Sequence, residues 1–288
     1  MSNLQWIAQT TQPITSPFEM AVLAGVVVGI PLSVIEIRRR RLWELPPIPD
    51  ASSHVNGAIL GGILITAVAA YMVVTGVIAR LMGLDAALAA TPQGMRLFVM
   101  AQPGAQIAGA TVILGMLALI GAFPAAIQWY KVRLADVASA AGWYLLAIPW
   151  VLLTGILVGL LLKVAGQEVP KGHAIFEIWK AEAAGFTPFK TLMFLSATVT
   201  APLVEELVFR GLLQRLLRNL THQPALAILL TSLAFAAIHQ PWTIRPSIFV
   251  LSVLLGWAYF RSGSIVLVIL IHAIFNGLQF AMFLAAGE

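Results

Sequence analysis

Apolar runs long enough to approach or span a bilayer recur along this chain from residue 18 to residue 284, and that recurrence leaves few folds open. A segment in hydrocarbon must satisfy each backbone N–H and C=O internally, so only helices and closed barrels cross a membrane. A spanning helix needs about 20 mostly apolar residues. The runs fall at roughly 18–36, 57–79, 105–127, 141–163, 188–213, 224–239, 246–260 and 264–284. A barrel would instead show alternating segments of about ten residues, and none is present. With 60% hydrophobic and only 10% charged residues, and a mean hydropathy of +0.92, the expectation is an all-α, polytopic helical membrane protein with about eight transmembrane helices.

Charge then suggests an orientation. The N-terminal residues 1–16 contain no Lys or Arg, and the first apolar run is followed by Arg38, Arg39, Arg40 and Arg41. No small-residue cleavage site intervenes, so this is not a removable signal. With that basic cluster Lys131, Arg133, Arg215, Arg218 and Arg261 share one side; Arg80, Arg96, Lys163, Lys171, Lys180, Lys190 and Arg245 lie on the other. Dense juxtamembrane Lys and Arg stay cytoplasmic, which places the N-terminus outside. The sequence pI near 9.9 thus reads as topology and contact with anionic lipid rather than nucleic-acid binding. The absence of cysteine excludes disulfides, thiolate ligands and cysteine nucleophiles.

Two parts are expected. Residues 1–187 hold helices 1–4, a stiff linker Leu45-Pro46-Pro47-Ile48-Pro49-Asp50, and an outer loop whose Ile175, Phe176, Ile178 and Trp179 sit among charges like an interfacial helix. Residues 188–288 hold the polar residues. Gly25/Gly29, Gly57/Gly61 and Gly155/Gly159 would let helices approach closely.

The fifth run reads Glu205-Glu206-Leu207-Val208-Phe209-Arg210. A charged side chain near the bilayer centre costs roughly 2.5–3.5 kcal/mol on insertion scales, so such residues face the protein interior and mark functional sites. Positions four apart share a helix face, so Glu206 and Arg210 can pair, while Glu205 is turned about 100° away. The sixth run ends Phe235-Ala236-Ala237-Ile238-His239, stacking an aromatic ring one turn from an imidazole. The eighth carries His272 and Asn276 on one face. One carboxylate and two histidines from three runs can share a wet cavity. An imidazole works near neutral pH, a desolvated carboxylate binds a proton more tightly than one in water, and N–H groups can stabilise an oxyanion. Those parts suffice to hydrolyse an amide with activated water. His54 and His173 lie in loops, and His222 precedes Pro224 at a turn.

Glu-Glu-x-x-x-Arg, Phe-x-x-x-His and His-x-x-x-Asn, in that order between about Thr191 and Phe283, resemble the CPBP intramembrane proteases, the CAAX-processing and bacteriocin-processing (ABI) group. The resemblance implies an eight-helix bacterial inner-membrane endopeptidase acting on a peptide or membrane-anchored protein within the bilayer. It assigns Glu205 and His239 to water activation, His272 and Asn276 to the oxyanion, and Glu206, Arg210 and Phe235 to support. The expected chemistry is metal-free; if zinc takes part, Glu205, His239 and His272 would ligate it. A scaffold or bacteriocin-immunity protein on the same fold is the rival reading, although a binder needs no water-activating carboxylate. A transporter or proton relay is a third, but the repeated halves usual in such proteins are missing.

Overall fold

A computed structural model describes residues 17–42, 44, 56–83, 88, 91–120, 134–167, 174–182 and 187–285. The proline-rich linker, His54, His173, Lys131, Arg133 and the end of the third run lie outside these residues. Those described form nine long or short helices and a 3-10 turn (Trp242–Ile244); the nine are, in chain order, α1 (Pro17–Arg39), α2 (Gly57–Leu81), α3 (Pro92–Leu119), α4 (Leu134–Val164), α5 (Ala174–Ala181), α6 (Pro188–Thr221), α7 (Pro224–Ala237), α8 (Arg245–Ser262) and α9 (Ile265–Ala285). Seven are long and apolar enough to cross a membrane, and α7 is a shorter apolar helix. The protein is therefore an all-helical, multi-pass membrane protein with close to the expected number of spans.

Helix limits reflect local chemistry. α3 starts well before the expected residue 105, because Thr91 accepts from Gly94 N–H at 3.1 Å and Pro92 sits where its missing N–H is harmless. The helix then runs through Pro103. Its polar residues, which interrupt the apolar run, are engaged: Gln102 Oε1 accepts from Tyr71 of α2 at 2.6 Å. α6 ends on His222 in the left-handed region, φ 55°, and Pro224 opens α7 directly after it.

α4 organises the bundle by packing against α1, α8 and α9, while α2 pairs with α3. α1 seats on α4 where Gly29 meets Pro149; a Cβ at Gly29 would lie 2.5 Å from the proline Cγ. One turn on, Trp150 Nε1 donates to Ser33 at 2.9 Å. The main core joins α2, α4, α6, α8 and α9 through residues such as Leu60, Val151, Leu212, Leu255 and Val268. α5 covers one end of α6 and α9: Trp179 is fully buried with Phe189, Met193 and Phe280, and Phe176 stacks on Phe283 at 4.4 Å. The short amphipathic helix thus directs its apolar face onto the protein.

Candidate active site

α6 is not a uniform α-helix. Ser196–Thr200 and Leu207–Leu213 are π-helical, on either side of an α-helical turn Ala201–Glu206. Each π segment rotates the residues after it relative to an unbroken α-helix, and such bulges recur at functional sites. The backbone gives a cause for the first. Ala201 N–H bonds to Ser196 O, five residues back, and so leaves Ala197 O. The next donor that could reach Ala197 O in a π register is residue 202, a proline without an N–H. The stranded carbonyl is taken by Asn276 of α9, whose Nδ2 donates to it at 2.7 Å.

Glu206 and Arg210 pair as their spacing anticipates. Arg210 Nη1 lies 2.9 Å from Glu206 Oε1, and both side chains have 0% exposure. The same Oε1 takes a bond from His272 Nδ1 at 2.8 Å. A carboxylate is acceptor-only, so Nδ1 carries the proton and Nε2 is the outward nitrogen. That Nε2 lies 3.9 Å from Glu205 Oε2, and the Glu205 side chain is 26% exposed. This distance is too long for a direct hydrogen bond and short enough for one water molecule to touch both groups.

His239 lies just beyond α7 rather than within its last turn. Its backbone N–H bonds to Ala236 O at 3.1 Å, so Phe235 O loses the donor that a continuing helix would supply. The imidazole fills the gap: Nδ1 meets Phe235 O at 2.7 Å. A carbonyl only accepts, so Nδ1 again holds the proton and Nε2 is left bare. Arg245 Nε secures the turn by donating to His239 O at 2.9 Å.

Phe235 joins the two histidines. Its ring centroid is 4.7 Å from His239 and 5.8 Å from His272, with Arg210 4.8 Å above its face. α6 and α7 form an antiparallel hairpin about the 221–224 turn, and Arg210 faces Phe235. His272 thus stands against Glu205 and Glu206, Phe235 sets His239 beside it, and Asn276 sits a turn away with one amide proton committed to Ala197.

Among the described residues no three His, Asp or Glu side chains are grouped to hold a metal ion. Glu205, His239 and His272 are thus not assembled as the zinc set the resemblance allowed. His239 and His272 each use Nδ1 in a protein hydrogen bond, which leaves Nε2 as the outward nitrogen of both. A cavity of about 490 Å³ lies elsewhere, between α3, α5 and the start of α6, and is bordered by Arg96, Glu182 and Phe189 among others.

α8 takes part in the site with no signal in its sequence. Ser252 accepts from Arg210 Nη2 through both Oγ, at 2.8 Å, and O, at 3.0 Å. Gln214 Nε2 donates to Gly256 O at 3.1 Å. A serine and a glycine one turn apart in an apolar helix are too ordinary to stand out. Arg245 and Gln106 carry no such signal either; Gln106 of α3 accepts from Thr200 at 2.7 Å within the first π segment.

No curated protein matches this chain, and no solved structure does. Residues 187–278 match the family model described as Rce1-like, type II CAAX prenyl endopeptidase Rce1-like, so the part of the chain that holds the carboxylates and both histidines is similar to that protease family, consistent with the CPBP resemblance.

Proposed function

We propose that this protein is an intramembrane endopeptidase that hydrolyses a peptide bond of a membrane-associated substrate with water activated by Glu205 and His239. The observation that carries the reading is the Glu205–His272 separation of 3.9 Å, beside a Glu206 carboxylate held by Arg210 and His272. Unlike Glu206, Glu205 has no guanidinium bonded to it among the described residues, and its contact is His272 Nε2 at 3.9 Å. It takes a proton from the bound water as the oxygen attacks the scissile carbonyl. His239 presents a bare Nε2 to the same water. The carbonyl π bond opens to an oxyanion, which the second amide proton of Asn276 steadies beside His272. Collapse breaks the C–N bond, and the proton held by Glu205 or His239 passes to the leaving amine.

The substrate class fits CAAX-type or leader-peptide processing. In this reading residues 1–187 hold helices α1–α4 with the outer interfacial loop, and residues 188–288 form the catalytic core. The N-terminus lies outside a bacterial plasma membrane with Arg38–Arg41 in the cytoplasm. Purified protein incubated with a peptide library, and with an internally quenched farnesylated peptide ending in a CAAX box, should yield defined cleavage products by mass spectrometry. Glu205→Ala and His239→Ala should each lose about 10²–10⁴-fold, the usual size of a general-base contribution. Full activity in either variant ends the assignment.

A further inference from the structure

We infer that Ser252 of α8 is a positioning residue for His272, acting through the buried Arg210 and Glu206. The inference rests on the hydrolase reading for its effect on rate, but its geometry does not.

Four groups from three helices form one continuous hydrogen-bonded chain. Ser252 offers both of its oxygens to the single nitrogen Nη2 of Arg210, at 2.8 and 3.0 Å. Nη1 of the same guanidinium donates to Glu206 Oε1 at 2.9 Å. That one oxygen also takes Nδ1–H of His272 at 2.8 Å. Arg210 and Glu206 have 0% side-chain exposure and His272 4%, and Ser252 is fully buried. Bulk solvent does not reach these bonds, and each group has few other positions to adopt.

The planar guanidinium makes the chain directional. With Nη2 fixed on α8, the plane and the reach of Nη1 are fixed too, and so is the Glu206 oxygen that meets it. Glu206 Oε2 has no hydrogen-bond partner among the described residues, so rotation of the carboxylate is resisted by Oε1 alone. Where Oε1 goes, Nδ1 of His272 goes with it, and Nε2 then aims at Glu205. This is the second-group logic by which a partner on one imidazole nitrogen sets the task of the other. α8 contributes no catalytic side chain, yet it sets the angle of one.

A second rung provides the control. Gln214 bonds to Gly256 O, one turn beyond Arg210 and Ser252 on their respective helices. Gly256 leaves the space: a Cβ there would lie 2.9 Å from Gln214 Oε1 and 3.0 Å from Ile228. Gln214 binds the same two helices together but touches neither Glu206 nor His272, so it shares the structural part of Ser252's role without the positioning part.

The test compares Ser252→Ala, Ser252→Thr and Gln214→Leu in full-length protein in detergent micelles, with ¹⁵N-labelled histidine. The wild type should show a strongly hydrogen-bonded His272 Nδ1–H proton, assigned by its loss in His272→Gln. Ser252→Ala should weaken or erase that signal and lower kcat at least tenfold with KM unchanged, measured on a peptide the wild type cleaves. Ser252→Thr, which keeps the hydroxyl, should restore both. Gln214→Leu should lower thermal stability while leaving signal and kcat as in wild type. An unchanged His272 signal in a folded Ser252→Ala overturns the inference. If that variant does not fold, Ser252→Cys, with a weak acceptor of similar size, takes its place under the same criterion. Activity retained in Glu205→Ala would overturn the hydrolase reading instead, and the proton signal would still decide the positioning claim.

Discussion

At the scale of single residues, the site consists of charges and dipoles that have lost water and must be answered by protein. Glu206 shows how tightly. Its one engaged oxygen faces a guanidinium and an imidazole, and removing a partner from a buried pair strands the remaining charge. Arg210→Ala should therefore cost about 3–5 kcal/mol, read as a fall in the thermal midpoint in detergent. Arg210→Lys should recover little, since one ammonium cannot reproduce the two-ended reach of a planar fork. Arg245 acts more gently. It donates to the carbonyl of His239, so Arg245→Ala should let the turn shift without removing a reacting group. Misplacement of a catalytic group by about 1 Å can cost 10²-fold. A loss on the order of tenfold in kcat is expected for Arg245→Ala, smaller than for His239→Ala; a loss equal to that of His239→Ala would mean that Arg245 itself touches the substrate.

At the scale of elements, the controlling feature is the broken regularity of α6. The carbonyl of Ala197 is stranded because Ala201 bonds to Ser196 and residue 202 is proline, and Asn276 closes the gap. This makes Asn276 a fastener between α9 and the π segment. Asn276→Leu should leave a half-buried carbonyl unpaired, at a cost of about 1 kcal/mol, the lower end of the range for a lost partner. In Pro202→Ala the new N–H can reach that carbonyl, so the same change at Asn276 should cost measurably less. The two residues should be coupled by about 1 kcal/mol in a double-mutant cycle, with thermal or denaturant unfolding as the measurement. Simple additivity would show that the π segment owes nothing to the proline.

At the scale of the whole molecule, α4 packs against α1 and against both α8 and α9. Gly29→Val would drive a branched side chain into Pro149, where even one carbon would sit 2.5 Å from Cγ. Overpacking of this kind costs about 1–3 kcal/mol, so thermal stability should fall while kcat of the folded fraction holds. Because the chain has no cysteine, single-cysteine labelling tests the orientation cleanly. Arg40→Cys should resist a membrane-impermeant maleimide in intact cells, and Gln167→Cys should react; the reverse pattern inverts the topology. Much of this protein is legible without coordinates, for a physical reason. Apolar length is set by bilayer thickness, and the cost of burying charge in lipid singles out Glu205, Glu206 and Arg210, so spans, helical class and the i,i+4 pair can be read from the order of residues. Local order could not reveal that His239 lies past its helix end, that proline and a π turn commit Asn276 to Ala197, or that a plain serine on α8 holds the arginine. Those facts depend on which carbonyls are left without donors and which helices come to lie side by side, and only the packed three-dimensional structure decides that.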